Sequence, residues 1–105
     1  MSLPKDGKLV RDRIPEIIGS TGSAPRTVTI GDDDRLEALH LKLDEECREL
    51  KESSDVDALA ELGDVLEVLR AIASTLGHDW ADVEAVAEAK AARRGRFANG
   101  TWLLH

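Results

Sequence analysis

The segment Asp44-Glu45-Glu46-Cys47-Arg48-Glu49-Leu50 and, after a polar break, Glu61-Leu62-Gly63-Asp64 together decide how this chain folds. Leu36, Leu39, Leu43 and Leu50 recur at helical spacing and form one apolar stripe. The slot that continues the stripe between Leu43 and Leu50 is filled by Glu46, and Glu49 follows three residues later on the same side. Further on, Glu61 shares a stripe with Ala58, Val65, Val68 and Ile72, and Asp64 again sits three residues beyond it. Two consecutive amphipathic helices therefore each carry an acidic pair on a face that should be packed. A carboxylate in such a place is costly unless a cation or hydrogen-bond donors compensate it.

If the two helices pack antiparallel, all four carboxylates converge. Like charges a few ångströms apart cannot all stay ionised without compensation. Hard divalent cations suit such a group, because Mg²⁺ and Mn²⁺ prefer oxygen ligands. Mg²⁺ keeps several waters and couples carboxylates to substrate phosphates, so a phosphate ester or anhydride is the expected substrate class. The competing reading is a solvated acidic helix face, and the pattern alone leaves both open.

The rest of the chain agrees with one small helical domain spanning 1–105. Apolar residues make up 42% of it, with two Trp, one Phe and no Tyr, so the expected core is aliphatic. The net charge of −7 is unevenly spread: residues 32–67 hold 14 acidic and 4 basic side chains. An acidic middle between basic ends argues against a nucleic-acid polymer as partner. It suits a metal centre with phosphate-binding groups brought in from both ends. A single cysteine, Cys47, excludes an intrachain disulfide and fits a reducing cytoplasm. No signal peptide is visible, and no apolar run approaches membrane-spanning length.

In order, Lys8-Leu9-Val10-Arg11-Asp12-Arg13-Ile14-Pro15 opens the chain, and Pro15 is placed to start a short helix ending near Ile18. Lys8, Arg11 and Arg13 are either solvated charges or anion ligands. Arg26-Thr27-Val28-Thr29-Ile30 alternates β-branched residues and reads as a strand. Thr101-Trp102-Leu103-Leu104, after the Asn99-Gly100 turn, is its candidate partner in a short two-stranded β element. The second helix is expected from about Asp33 to Glu52, capped by the Gly31–Asp34 run. Ser54 and Asp57 resemble a capping box for a third helix over 56–76, which Gly77 ends. A fourth runs from Asp79 to about Arg94, with Gly95 as its stop. The third is apolar on nearly every side, the mark of a helix that is central or buried between subunits. Val65, Val68 and Ile72 form one stripe and Leu59, Leu62, Leu66, Leu69 and Leu76 another; one should face the second helix and the other a twofold-related copy.

These residues also carry a resemblance. Glu45-Glu46-x-x-Glu49, a spacer and Glu61-x-x-Asp64 resemble the signature of the MazG-like, all-α nucleoside triphosphate pyrophosphohydrolases. That superfamily includes the phosphoribosyl-ATP pyrophosphohydrolases and the dimeric dUTPases. Lys8 to Pro15 is similar to the Lys-Leu-Val-Arg-Asp-Lys-Ile-Pro opening of one small branch, with Arg13 in place of Lys. Lys90 to Phe97 loosely matches that branch's Lys-x-x-Arg-Gly-Gly-Phe-like ending, with Arg94 inserted and Arg96 in place of a glycine.

The resemblance implies an antiparallel helical bundle that is a homodimer or higher oligomer. It also implies Mg²⁺-dependent hydrolysis of a nucleoside triphosphate to the monophosphate and pyrophosphate, with non-standard nucleotides as a family-level expectation. Glu46, Glu49, Glu61 and Asp64 match the family's metal ligands, and Glu45 would orient or deprotonate the attacking water. Lys42, Arg11, Lys90 and Arg93 are the phosphate candidates. Lys42 serves equally as an i,i+4 ion-pair partner of Glu46, and Lys90 and Arg93 equally as C-terminal charges on their helix. A phosphoribosyl-ATP pyrophosphohydrolase and a non-catalytic metal-binding helical module are the alternatives. The pair Glu37-x-x-His40 admits a ferritin-like di-iron site, but that architecture wants two such pairs, and Glu49 and Asp64 stand where the second histidine belongs.

Overall fold

In the computed structural model, which describes residues 3–104, helix follows helix: α1 (Ile14–Gly19), α2 (Asp32–Glu52), α3 (Ala58–Thr75) and α4 (Trp80–Arg94). Proline in the first turn of α1 supplies a preset φ where no donor is needed. Gly31 caps α2 with extended backbone and no side-chain hydrogen bond, while Asp32, Asp33 and Asp34 place negative charge on the first turn. Between α2 and α3 the Ser54 hydroxyl accepts from the Asp57 N–H at 3.4 Å and donates to its carboxylate at 3.1 Å. The first bond is half of the expected capping box; in the second the Asp57 carboxylate takes the Ser54 hydroxyl, where a full box would bind the Ser54 N–H.

Gly77 ends α3 in a Schellman motif. The Gly77 N–H reaches the Ser74 carbonyl at 3.0 Å and the His78 N–H reaches Ala73 at 2.8 Å, with Gly77 at φ 85°. Gly95 (φ 81°) stops α4 in a similar way, its N–H bonded to the Ala91 carbonyl at 2.8 Å.

The five residues between α2 and α3 reverse the chain, and the two helices pack along one another as a helical hairpin. α4 leans on α3 alone, where the Arg70 guanidinium lies 5.4 Å over the Trp80 ring. The buried apolar residues are few and mostly small: Ala38 and Leu39 from α2, Val68 and Ala73 from α3. Among the described residues no helix is long and apolar enough to cross a membrane.

The expected β element is absent among the described residues. Neither 26–30 nor 101–104 forms a strand, and Val28 and Trp102 stand in solvent. An extended segment needs a ladder partner, and the two candidate strands do not meet within one chain. Alternation of β-branched residues gives each segment the propensity but not the pairing.

Candidate metal centre

The α2–α3 hairpin brings Glu46, Glu61 and Asp64 together. One carboxylate oxygen from each lies within 4.8 Å of the others. Helical spacing does this: Glu46 falls on the stripe of α2 that faces α3, and Glu61 and Asp64 lie one turn apart at the start of α3. Glu46 is 6% exposed, the most buried charged side chain among the described residues.

The charges are partly compensated from within the chain. Lys42, one turn before Glu46, places its ammonium 3.2 Å from Glu46 Oε1 and 3.3 Å from Glu45 Oε2. Burial alone would lower the Lys42 pKa, but the hydrogen bonds and charges of Glu46 and Glu45 outweigh it and raise it above 10.5. Glu45 is also approached by Lys8, 3.6 Å from Oε1. Burial would raise the Glu45 pKa, yet Lys42 and then Lys8 hold it below 4.5, so this side chain is a carboxylate at neutral pH. Arg11 donates to Asp64 Oδ1 at 2.7 Å.

Compensation stops short of the centre. Glu46 Oε2 and Glu61 Oε2 are buried and have no hydrogen-bond partner. A buried acceptor left unmade costs about 1–3 kcal/mol, more when it is charged. With Asp64 beside them, Glu46 and Glu61 form an all-oxygen donor set of the kind that hard divalent cations take.

Glu49 lies at the rim, exposed and outside that triad. Hydrogen bonding to Glu46 and repulsion from Glu46 raise its pKa above 4.5, with burial, Glu45 and Glu61 adding to the rise. Glu45, Glu46, Glu49, Glu61 and Asp64 thus form one interacting group, which Lys42, Lys8 and Arg11 border. Lys8 reaches it from the same opening segment as Arg11, which the sequence left open between solvent and anion.

Lys90 and Arg93 are not part of the group. Both are exposed on α4, a helix that touches α3 and not α2. His40 is exposed, and among the described residues no histidine joins the carboxylates, as the di-iron alternative would require. Of the aromatic side chains, Phe97 and Trp102 are exposed, and Trp80 is occupied by Arg70 and by a 2.9 Å hydrogen bond from its Nε1 to Glu84.

The chain is similar to an uncharacterised protein of Mycolicibacterium smegmatis, 48% identical over 56 residues. The matched stretch covers 53% of this chain and 57% of that protein, little more than half of either. No family model matches the chain, and no solved structure does.

Proposed function

We propose that this chain is a Mg²⁺-dependent nucleoside triphosphate pyrophosphohydrolase of the MazG-like kind that its carboxylate pairs resemble, releasing the monophosphate and pyrophosphate. One observation supports this best: a carboxylate oxygen from each of Glu46, Glu61 and Asp64 lies within 4.8 Å of the others, in a group where Glu46 and Glu61 each keep a buried oxygen without a hydrogen-bond partner among the described residues. Glu46, Glu61 and Asp64 would hold the cation, with Glu49 joining from the rim. Bound Mg²⁺ would supply charge neutralisation of the triphosphate and an acidified water.

The remaining roles fall to the chain's own groups. Glu45 is ionised beside the triad and would take the proton from the attacking water once the ammonium groups that lower its basicity have moved to phosphate. Its two oxygens are engaged by Lys42 and Lys8. A triphosphate is a stronger attractor for those ammonium groups than one carboxylate. Substrate binding would draw Lys42, Lys8 and Arg11 onto phosphate oxygens and free Glu45 and Asp64 for their tasks.

A second reading has its own observation. Lys42 and Arg11 already neutralise Glu46 and Asp64 in part, as they would in a non-catalytic helical module. Pyrophosphate release from a panel of nucleoside triphosphates and phosphoribosyl-ATP, with Mg²⁺ and then with chelator, separates the two. Release that stops on chelation is expected, and preference for phosphoribosyl-ATP would assign the sibling activity. No release from any member of the panel would favour the module.

A further inference from the structure

Two apolar surfaces of this chain have no partner among the described residues. On α3, Leu59, Leu62, Leu66, Leu69 and Leu76 are exposed, Leu59 at 80%. They lie on the flank beside the face built from Val65, Val68 and Ile72. Beyond α4, Phe97, Trp102, Leu103 and Leu104 stand in solvent, Trp102 at 86%. The chain does not bring the two together: α4 is tied to α3 by Arg70 and Trp80, and the apolar side chains of the arm after Gly95 stay exposed, as the leucines do.

The scale of this exposure says what is missing. The chain exposes 9110 Å², whereas a folded monomer of 11.4 kDa exposes about 5,800 Å². Its radius of gyration is 17.4 Å, against about 13 Å for a compact chain of this length. The excess of roughly 3,300 Å² is several times the ~800 Å² that each partner buries in a standard interface. Charge complements the two surfaces: Arg93 and Arg94 lie at the root of the arm, where Arg96 is held by Glu88 at 2.8 Å, and Asp55 and Asp57 lie just ahead of Leu59.

We propose that a second copy of this chain covers the α3 leucine flank with its C-terminal arm, Phe97–Leu104, and that two copies exchange arms reciprocally about a twofold axis. In this register the arginines at the arm's root meet Asp55 and Asp57 of the other copy, and Trp102 to Leu104 lie along the leucines toward Leu76. This inference stands apart from the hydrolase reading, since neither surface includes a carboxylate of the centre.

The test uses the full chain with Trp80→Phe, which keeps a ring beneath Arg70 and leaves Trp102 as the sole indole. Light scattering gives the mass, and acrylamide quenching reports Trp102 exposure in the same dilution series. The expected result is twice 11.4 kDa with Trp102 shielded severalfold, and loss of that shielding as the mass halves. Leu103→Glu, an exposed position on the arm, should halve the mass while helical circular dichroism persists. A mass of 11.4 kDa at all concentrations overturns the inference. So does Trp102 shielding that survives while the mass halves, which would place the arm on its own helix. A dimer that keeps its mass in Leu103→Glu, or leaves Trp102 fully quenchable, would mean that the copies meet without the arm.

Discussion

Arg11 and Asp64, 53 residues apart in sequence, meet at 2.7 Å between Nη2 and Oδ1. The contact ties an opening segment whose only helix has six residues to the acidic centre between α2 and α3. Because Arg11 occupies one oxygen of a candidate metal ligand, a bound metal would compete with the arginine for Asp64, while a bound triphosphate would use both.

That competition gives opposite signs for two measurements on Arg11→Ala. Both side chains are substantially exposed, so losing the pair should cost the metal-free protein under about 1 kcal/mol. Mg²⁺ affinity should rise, because Asp64 is released to the metal. The KM for nucleotide should rise too, because a phosphate contact is lost. A fall in Mg²⁺ affinity would show that Arg11 supports the centre rather than competing with it.

Glu61→Gln removes a ligand charge and leaves an isosteric amide at the start of α3. Outer-shell partners of metal ligands are worth about 10–100-fold, so a direct ligand should cost at least as much in turnover, with helical content unchanged. Turnover within tenfold of the unmodified protein would exclude Glu61 from the centre.

Glu49 predicts how metal-free stability depends on pH. Its folded pKa is raised above 4.5 by hydrogen bonding to Glu46 and by repulsion from it, so the folded state holds the proton more tightly than the unfolded state. Its contribution is full below pH 4.5 and is lost as pH rises through the raised value. The contribution of Glu45, whose pKa is lowered, is lost only on falling below 4.5, and that of Lys42 only above 10.5. Within that window the melting temperature without metal should therefore fall as pH rises, and Glu49→Gln should flatten the slope. An equal slope in Glu49→Gln would place the titration elsewhere.

The helices and the acidic triad were legible because both rest on local periodicity. Glu46 on a leucine stripe and Glu61 on a valine stripe are visible as intrusions, and a short connection forces the two stripes together. Ser54 and Asp57, Gly77 and Gly95 marked the helix boundaries for the same local reason. The position of Glu49 was less legible, since i,i+3 spacing places it beside Glu46 but not inside the triad. Lys42 could be read two ways, and the structure pairs it with Glu46 and Glu45. Lys90 and Arg93 depended on where α4 lies, which no short-range pattern encodes. The strands 26–30 and 101–104 failed for a related reason: β propensity is local, but a ladder requires two distant segments to meet.

The central claim is that Glu46, Glu61 and Asp64 form a centre for a hard divalent cation, and thermal unfolding with and without Mg²⁺ tests it most directly. Ligand bound only to the folded state at a hundred times its Kd adds about 2.7 kcal/mol, which for a domain of this size moves the melting temperature by roughly 10 °C or more. The unmodified chain should show such a rise at saturating Mg²⁺, and Glu46→Gln should show almost none. An equal rise in both proteins, or none in the unmodified chain, would contradict the assignment.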